Sequence, residues 1–568
     1  MTGGLQRADL FILGGFFAVM LFVGTYYRGR VRSMTQFFAG GKRVPWWLGG
    51  ISFYMVSFSA LAFVMYSELV YKYGVVGFVL GWLSVPAAWL SARWFARRWR
   101  RVTETSPLEY IEVRYGLAAR QTLAWLGLPT RMLDDSLKLF AIGTVVSAGM
   151  GISFHWAVVL CAGIILGYTF MGGLWAALVA DFVQFAVLLG AVLVLPLLAF
   201  GQAGGVSHVF QVLPAEFWRV TRPEAGYSAT YLVSYFVLLF LNYSTSWALV
   251  QRYYSSESDR QARKVGYLVA VLYLFGTAIF YAPAIAARVL LPDLANTKEV
   301  YVWLCRTVLP VGVLGMVVAA MFSATMSTLA GDYNAVSSVL TNDVHRRLWP
   351  HGATEADWVQ VGRLYTVGVG LVVLGLTLLM HTFQGSRDLF DTMMKVFGLF
   401  LPPVAVPMLL GMLSPRFSST GAQWALWGGA ACGLLAFGCR RWMPGLARAD
   451  VLTFLTTSAA VVLLELGSRR WPDPEHRRRQ IQTFFEQLHR ADEPVGRQGA
   501  DYSFLTVVGN VLIALGGTLV GAIVFTRQWN AGYLTIWIGG VFVVAGGILR
   551  RIGPGTRATG AEQSGRPE

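Results

Sequence analysis

The stretch MVVAAMFSATMSTLAGDYNAVSSVLTND, residues 316–343, decides the fold of this chain. It is long and apolar enough to cross a membrane as a helix. Ser323 and Ser327 are one helical turn apart, and so are Thr328 and Asp332. Hydroxyl and carboxylate oxygens suit a small hard cation such as sodium, and a carboxylate inside a membrane is by default a functional residue. The stretch therefore predicts a membrane helix that binds an ion. The alternative is a structural pair between the carboxylate and an arginine or a backbone donor.

The composition of the whole chain agrees with a membrane protein. Of its 568 residues 55% are hydrophobic and only 13% are charged, whereas soluble domains have about 25% charged residues. The net charge of +16 comes mostly from short basic clusters between apolar blocks, as the positive-inside rule requires of cytoplasmic loops. No basic domain with interleaved aromatic residues is present in the sequence, so we expect a lipid bilayer and no nucleic acid as partner.

The apolar blocks predict about fifteen transmembrane helices. They lie near residues 8–27, 46–70, 75–97, 121–148, 154–172, 174–200, 229–250, 265–290, 311–340, 360–382, 388–413, 420–439, 450–467, 503–526 and 532–550. Basic clusters follow the odd-numbered blocks, which predicts an N-terminus outside the cell and a C-terminus in the cytoplasm. Arg440, Arg441 and Arg448 fall on the opposite side. We expect the inner membrane of a bacterium.

Two of these blocks, five apart in order, carry polar clusters near their centres. The second reads GGISFYMVSFSALAFVMY (residues 49–66), and the seventh reads LLFLNYSTSWALV (residues 238–250). Such clusters are typical of broken helices whose freed carbonyls bind ions, and their spacing favours two five-helix units of inverted topology. Ordinary hydrogen bonding between membrane helices is the alternative.

The fourth block contains RMLDDSLK, residues 131–138. Arg131, one of the two aspartates and Lys138 share a helical face, so these charges can neutralise each other as intrahelical pairs. The alternative is that Lys138 or Arg131 faces a central cavity and contacts a polar substrate.

Five segments together resemble the sodium:solute symporter family, in the family's order, over residues 34–425. They are FFAGGKRVPWWLGGIS (37–52), SPLEYIEVRYG (106–116), YTFMGGLWAALVADFVQF (168–185), AAMFSATMSTLAGDYNAVSSVLTNDVHRRL (319–348) and LPPVAVPMLLGMLSPRFSSTGAQ (401–423). The resemblance implies an all-α membrane protein with a five-plus-five inverted-repeat core of the LeuT type, in which core helices 1 and 6 are broken.

The resemblance, the apolar blocks and the composition of the polar segments together divide the chain into seven segments. These are a leading helix and cytoplasmic loop (1–45), two inverted repeats (46–200 and 201–415), additional helices (416–468), a cytoplasmic loop with a short amphipathic helix (469–501), C-terminal helices (502–552) and a disordered tail (553–568).

The resemblance also implies a sodium site between the first and eighth core helices. Its ligands here are the backbone carbonyls of Met55, Phe58 and Ala324 and the hydroxyls of Ser327 and Thr328. Asp181 matches an acidic residue of a second sodium site in some members, whose hydroxyl partners are Ala330 and Gly331 in this chain. Asp332 follows them directly and is the candidate replacement, which makes Asp181 and Asp332 a candidate second ion site. We expect one sodium ion per cycle.

The implied activity is sodium-coupled symport of a small polar organic solute into the cell by alternating access, without enzymatic activity, an organic cofactor or an obligatory protein partner. Sugar-transporting members carry a Glu-Gln pair after the Ser-Ala of the first core helix, where this chain has Leu61 and Ala62. A sugar acid, a sugar derivative or another carboxylate is therefore favoured over a plain hexose. The candidate cavity residues are Ser57, Leu61, Ala62, Lys138, Asn242 and Thr245.

The sequence leaves three other functions open. A proton-coupled carrier would use Asp332 or Asp181 as its relay. A transporter-like sensor would signal through residues 469–501, which are too few for a kinase domain. A membrane-embedded enzyme would need an acid–base pair or a metal cluster at membrane depth, and the seven histidines form no such constellation in the sequence.

Overall fold

A computed structural model describes residues 6–28, 40–102, 106–310, 312–348, 354–384, 389–439, 442, 449–490 and 503–555. Over these residues the chain forms α-helices joined by short turns, and it contains no β-strand. The predicted all-α fold is therefore confirmed. Three features of the prediction lie outside the described residues: the arginines Arg440, Arg441 and Arg448, residues 491–501 of the polar loop, and residues 556–568 of the tail.

The α-helices are numbered in chain order. The first twelve are α1 (Arg7–Arg28), α2 (Trp46–Ser57), α3 (Ala60–Tyr73), α4 (Val75–Trp82), α5 (Ser84–Ser91), α6 (Arg97–Val102), α7 (Glu109–Tyr115), α8 (Leu117–Met150), α9 (Phe154–Val192), α10 (Val194–Gln202), α11 (Val206–Val212) and α12 (Ala229–Thr245). The others are α13 (Trp247–Tyr254), α14 (Asp259–Leu290), α15 (Val300–Val308), α16 (Val313–Val339), α17 (Arg346–Leu348), α18 (Glu355–Gln384), α19 (Leu389–Leu413), α20 (Ser419–Gly438), α21 (Ala449–Arg470), α22 (Glu475–His489), α23 (Ser503–Thr526) and α24 (Trp529–Gly555).

Short turns of tighter or wider helix connect several of them. The 3₁₀ turns are Gly40–Lys42, Ala215–Trp218, Pro223–Ala225 and Thr297–Glu299, and the π turns are Ala92–Ala96 and Leu340–His345.

The described residues account for fewer membrane spans than the fifteen or so that the sequence predicts. Among the described residues ten helices are long and apolar enough to cross a membrane, and three bent pairs raise the number to at most thirteen. One of these bent pairs corresponds to the predicted fourth and fifth spans. The predicted span at 420–439 is less hydrophobic than the ten helices that qualify as membrane spans. The count of about fifteen and the segment boundaries stay predictions.

Helix α16, which contains most of residues 316–343, is the most buried membrane span. In its most apolar window 94% of the residues are buried, and it packs against α1, α2, α8, α9 and α18. Small side chains allow this close approach. At its N-terminal end, Asp9 Oδ1 accepts hydrogen bonds from the backbone N–H groups of Gly312 (3.0 Å) and Gly315 (2.8 Å), which satisfies donors that the helix itself cannot. The polar side chains of α16 are therefore held deep inside the protein.

The short amphipathic helix predicted in the polar loop is present as α22. Ile481, Phe484 and Leu488 recur at helical spacing and are buried, because they form its apolar face. The Phe484 ring stacks on Tyr110 with ring centroids 6.3 Å apart. Arg101 on α6 donates hydrogen bonds to the carbonyls of Leu488 (2.7 Å) and Arg490 (2.5 Å) at the C-terminal end of α22. Helix α22 is therefore docked on the core.

We expect Arg101→Gln to loosen this docking. The substitution removes the charged donor from the last carbonyls of α22, where hydrogen bonds to charged groups contribute about 1.5 kcal/mol. Amide hydrogen exchange within residues 475–490 should then become about tenfold faster. Arg98→Gln is the matched control, since Arg98 lies on the same helix and contacts the Trp94 carbonyl instead. Equal exchange in the two variants would contradict this role of Arg101.

Candidate functional site

A break between α2 and α3 opens the centre of the protein. Phe58 and Ser59 adopt extended backbone conformations, and the two helices meet at 62°. The N–H of Ala60, which has no acceptor within its own helix, donates to Thr325 Oγ1 on α16 at 2.9 Å. A second break at Ser246 separates α12 from α13 with a bend of 52°. Both helices that the sequence predicts to be broken are broken within the predicted polar clusters, because extended residues there release backbone groups from helical hydrogen bonding.

Four of the five predicted sodium ligands converge on α16 at the first break. Thr328 Oγ1 lies 3.3 Å from the carbonyl oxygen of Met55 and 3.2 Å from that of Phe58. It also lies 2.9 Å from the carbonyl oxygen of Ala324, one turn earlier on α16. All four residues are buried. The result is a cluster of neutral oxygens, the ligand type that hard cations prefer.

The fifth predicted ligand, Ser327, faces a different partner. Its hydroxyl donates to Asp181 Oδ1 at 2.6 Å, and the hydroxyl of Ser52 donates to the other carboxylate oxygen. Arg252 Nη2 lies 3.7 Å from Asp181 Oδ2, and Arg252 Nε donates to Ser52 Oγ at 3.0 Å. Asp181 is therefore paired with the buried guanidinium of Arg252, beside the oxygen cluster around Thr328. A hydroxyl that donates its proton to a carboxylate keeps its lone pairs for another partner.

The grouping of Asp181 and Asp332 in one ion site is wrong. Asp332 accepts a hydrogen bond from Lys138 Nζ on α8 at 2.6 Å, whereas Asp181 contacts Ser52, Ser327 and Arg252. Ser327 and Asp332 are five residues apart on α16, so their side chains point about 140° apart around the helix. The two carboxylates consequently belong to different clusters.

Lys138 is the centre of the second cluster. Its Nζ lies 2.7 Å from Asp134, 3.0 Å from Asp135 and 2.6 Å from Asp332. The pairs within α8 are the ones that the sequence predicts, and the pair with Asp332 joins α8 to α16. Arg131, on the same helix, donates instead to Ser246 Oγ at 3.0 Å, at the second helix break. Oxygens of the three aspartates lie within 4.8 Å of one another, and the lysine ammonium occupies the position beside them.

A central cavity lies between the two helix breaks and this charged cluster. Its volume is about 120 Å³. Five of the predicted cavity residues line it, namely Ser57, Leu61, Ala62, Lys138 and Asn242. Thr245 does not, and its assignment to the cavity is wrong. Its hydroxyl donates to the carbonyl of Leu241 at 2.7 Å within α12, and the residue is buried against the neighbouring helices.

Most of the cavity wall consists of residues other than the six predicted for it. Arg131, Asp134 and Asp332 supply charges, and Ser59, Ser246 and Thr328 supply hydroxyls. The wall also includes five tyrosines and two large apolar residues of later helices: Tyr66, Tyr235, Tyr243, Tyr273, Tyr281, Met393 and Phe397. Tyrosines within apolar spans are the signal that points to them, because a buried phenol needs a polar partner. Tyr273, for example, has its hydroxyl 2.9 Å from Ser57 Oγ.

Comparison with known proteins identifies the family. The model of the sodium:solute symporter family matches residues 37–429, which is more than half of the chain. The chain belongs to the sodium:solute symporter family. The resemblance predicted from the five segments is thereby confirmed. Because this family and the relatives found are transporters, the protein is a multi-pass membrane transporter and not an enzyme.

Named relatives of this symporter chain come from bacteria and animals. The sodium/sialic acid symporter SiaT of Proteus mirabilis (strain HI4320) is 26% identical over 439 residues, which are 72% of this chain and 86% of the relative. Sodium/glucose cotransporter 2 of Rattus norvegicus is 26% identical over 489 residues, which are 75% of this chain and 71% of the relative.

A solved structure supports the fold. The substrate-bound outward-open state of a Na+-coupled sialic acid symporter aligns with a TM-score of 0.71 at 21% identity, over 82% of this chain and 98% of that one. The LeuT-type architecture of this symporter chain is therefore confirmed.

Proposed function

We propose that this transporter carries a small polar organic solute into the cell together with sodium. The observation that supports this most directly is the convergence of Thr328 Oγ1 with the carbonyls of Met55, Phe58 and Ala324 at the break between α2 and α3. A sodium ion bound there takes these oxygens and the Ser327 hydroxyl as ligands. Family membership and the named sodium symporters among the relatives support the same function.

In the proposed mechanism sodium joins the broken helix α2–α3 to α16. The ion stabilises the outward-facing state and orders the neighbouring cavity, which Phe58 and Thr328 also line. Solute binding then favours occlusion and a rocking motion of the core helices, after which sodium leaves to the cytosol. Coupling is reciprocal, so the solute tightens sodium binding by the factor by which sodium tightens solute binding.

One sodium ion per cycle is sufficient for accumulation. At a membrane potential of about −100 mV, an entering charge supplies about 2.3 kcal/mol, and a tenfold sodium gradient adds about 1.4 kcal/mol. Together they support accumulation of a neutral solute by several hundred-fold.

The cavity wall favours a solute with a carboxylate, such as a sugar acid or a sugar derivative. Arg131 lines the cavity and presents a guanidinium, whose planar donors match a carboxylate. Asn242 Oδ1 is buried beside the cavity without a hydrogen-bond partner among the described residues, so it is available to a solute hydroxyl. Leu61 and Ala62 provide an apolar wall where sugar-transporting members have polar side chains.

We also propose the orientation that the basic clusters predict, with the N-terminus outside and the C-terminus inside a bacterial inner membrane. Arg100 and Arg101 on α6 pair with Asp259 at the start of α14, and Arg101 also contacts the end of α22. Arg347 at the end of the α16 span pairs with Glu112 on α7 at 2.8 Å. Basic residues therefore meet near the polar segment α22, as expected of a cytoplasmic face.

The function is tested by binding of a solute library to the purified full chain. We expect a solute that raises the melting temperature in sodium and has no effect in choline. Ser327→Ala should weaken the apparent sodium affinity about tenfold, since one hydrogen-bonding ligand of a charged group is lost. Ser234→Ala is the matched control, because among the described residues its buried hydroxyl donates to the Thr230 carbonyl alone, within α12.

A solute that stabilises the protein equally in sodium and choline would overturn the sodium site. The proton-coupled carrier then becomes the leading alternative. It predicts uptake that depends on pH and is independent of sodium, and Asp332→Asn should abolish that uptake. Radioactive or mass-spectrometric uptake into proteoliposomes distinguishes these two carriers from a sensor, which moves no solute.

A further inference from the structure

A groove on the outer surface of the helix bundle lies apart from the central cavity. It has a volume of about 690 Å³, and none of its described lining residues lines the cavity. Its walls come from the π turn Ala92–Ala96, α12, α19 and α21. Trp94 and Leu413 at its edges are 46% and 44% exposed, whereas Phe95 and Leu409 are buried. Because the protein spans a membrane, a groove that opens outward from its helices faces lipid.

The lining of this groove changes from apolar to polar in one direction. Along α19 it is apolar up to Leu413, and Arg416 follows just after the helix. Along α21 it changes in the same sense, from Val461 through Glu465 to Arg469. The groove therefore matches an amphipathic occupant, with an apolar part inside the membrane and a polar part at its surface.

The two polar ends lie at the same level of the protein. The backbone N–H of Ser418 donates to Ser468 Oγ at 2.8 Å, which joins the end of α21 to the turn after α19. Arg114 on α7 donates to the carbonyls of Ser414 (2.8 Å) and Phe417 (2.6 Å) in the same turn, and α7 packs against α22. The polar end of the groove is consequently on the side of α22, which is the cytoplasmic side in the proposed orientation.

Positive charge exceeds negative charge at the polar end. The Arg416 side chain is exposed and forms no hydrogen bond or ion pair with another described residue. Arg469 pairs with Glu465 one turn earlier, and its side chain is 76% exposed. A guanidinium has five N–H donors, so one carboxylate leaves donors of Arg469 free. Both arginines can therefore bind a phosphate group.

The length of the apolar part distinguishes a lipid from a helix. On α19 it runs from Val406 to Leu413, which is about 10 Å along the helix axis. One leaflet contributes about 15 Å to the hydrocarbon core, and a transmembrane helix of a partner crosses about 30 Å. An acyl chain within a single leaflet matches the groove, whereas a spanning helix would need an apolar surface about three times as long.

We infer that this groove binds an anionic phospholipid of the leaflet on the α22 side. Its phosphate contacts Arg416 and Arg469, and an acyl chain packs against Val406, Leu409 and Val461. Basic pockets between membrane helices are sites of this kind, because anionic headgroups are concentrated at the cytoplasmic surface. The inference is independent of sodium coupling, and only the naming of this leaflet as cytoplasmic rests on the proposed orientation.

The bound lipid contacts a helix of the transport site. Phe240 and Leu241 on α12 line the groove, and Asn242, the next residue of that helix, lines the central cavity. A lipid in the groove packs against α12, α19 and α21 at once. We therefore expect it to stabilise the position of α12 and to raise the melting temperature.

The test uses the purified, delipidated full chain in a non-ionic detergent. The probes are dioleoylphosphatidylglycerol, dioleoylphosphatidylcholine and sn-glycerol 3-phosphate, with native mass spectrometry to count bound lipids and melting curves to measure stabilisation. We expect phosphatidylglycerol to bind about tenfold or more tighter than phosphatidylcholine, since two arginines attract its charge. Glycerol phosphate has the charge without the acyl chains, so an equal concentration should not displace the lipid.

Variants separate the headgroup from the acyl chain. Arg416→Gln combined with Arg469→Gln should lower the affinity for phosphatidylglycerol to that for phosphatidylcholine. Val461→Trp should weaken binding of both lipids, because the larger side chain fills the apolar part. Arg550→Gln combined with Arg551→Gln is the control, since it removes the same charge from two exposed residues at the end of α24, outside the groove.

Four outcomes would overturn the inference: equal affinity for the two lipids, displacement of the lipid by glycerol phosphate, an equal loss of lipid preference in the control, and a lipid-free dimer that Val461→Trp dissociates. The last of these would show that a second copy of the chain occupies the groove. If the double glutamine variant does not accumulate, Arg416→Lys combined with Arg469→Lys retains both charges. A lost preference for phosphatidylglycerol in that variant would contradict recognition by charge, and a retained preference would support it.

Discussion

Thr328→Val is expected to abolish sodium-dependent transport. Valine fills the volume of threonine but has no hydroxyl, so the oxygen that contacts the carbonyls of Met55, Phe58 and Ala324 is lost. A ligand to a charged group contributes about 1.5–3 kcal/mol, which corresponds to a loss of sodium affinity of roughly ten- to more than a hundredfold. Sodium titration of the melting temperature and uptake into proteoliposomes under a sodium gradient measure the effect.

Thr366→Val is the control for this experiment. Thr366 is also buried in a helix, and within the described part of the chain it donates only to the Gly362 carbonyl at 3.0 Å, four residues back along α18. Its replacement by valine should leave the sodium titration unchanged. If Thr328→Val and Thr366→Val show the same sodium affinity as the unmodified protein, the oxygen cluster at the α2–α3 break is not the ion site.

Lys138→Met is expected to destabilise the protein more than any single change of a surface charge. The substitution removes the ammonium that contacts Asp134, Asp135 and Asp332, and it leaves three carboxylates in the interior with Arg131 as the nearest cation among the described residues. Breaking a buried ion pair by removal of one partner costs about 3–5 kcal/mol. We expect a large drop in the melting temperature of the purified protein, or failure to accumulate in the membrane.

Two further variants make this prediction specific. Arg469→Met removes an exposed arginine that pairs with the exposed Glu465 one helical turn earlier, so it should cost less than about 1 kcal/mol. Lys138→Met combined with Asp332→Asn removes one negative charge as well, and it should recover part of the lost stability. A Lys138→Met protein that melts at the temperature of the unmodified protein would show that the cluster does not hold α8 and α16 together.

The broken helices were predictable because their signal is local. Ser57, Phe58 and Ser59 lie together in one apolar block, and polar residues in the middle of a membrane span indicate backbone that leaves the helix. The convergence of Thr328 with Met55 and Phe58 was predictable only from the family resemblance, which supplied the ligand set. The amphipathic helix α22 was predictable for a similar reason, since its buried apolar residues repeat at helical spacing.

The pairing of the charged residues could not be predicted from the order of the chain. Asp181 and Asp332 both interrupt apolar blocks, yet one pairs with Arg252 and the other with Lys138. Arg252 carries no local signal of this role, because it stands near the end of a span, where arginine commonly serves as a cytoplasmic anchor. The break at Ser246 sets the direction of α13, which packs against α16 and brings Arg252 to the buried carboxylate.

The sequence by itself determined the membrane environment, the two helix breaks and the family, because hydropathy, local polarity and ordered motifs are properties of contiguous residues. Only the tertiary structure decided which carboxylate lies beside the oxygen cluster, which cation faces the cavity and which helices supply its tyrosines. Those contacts join residues up to 216 positions apart, as in the contact of Ser57 with Tyr273. They depend on how each helix is rotated about its axis, and packing of all the helices together determines that rotation.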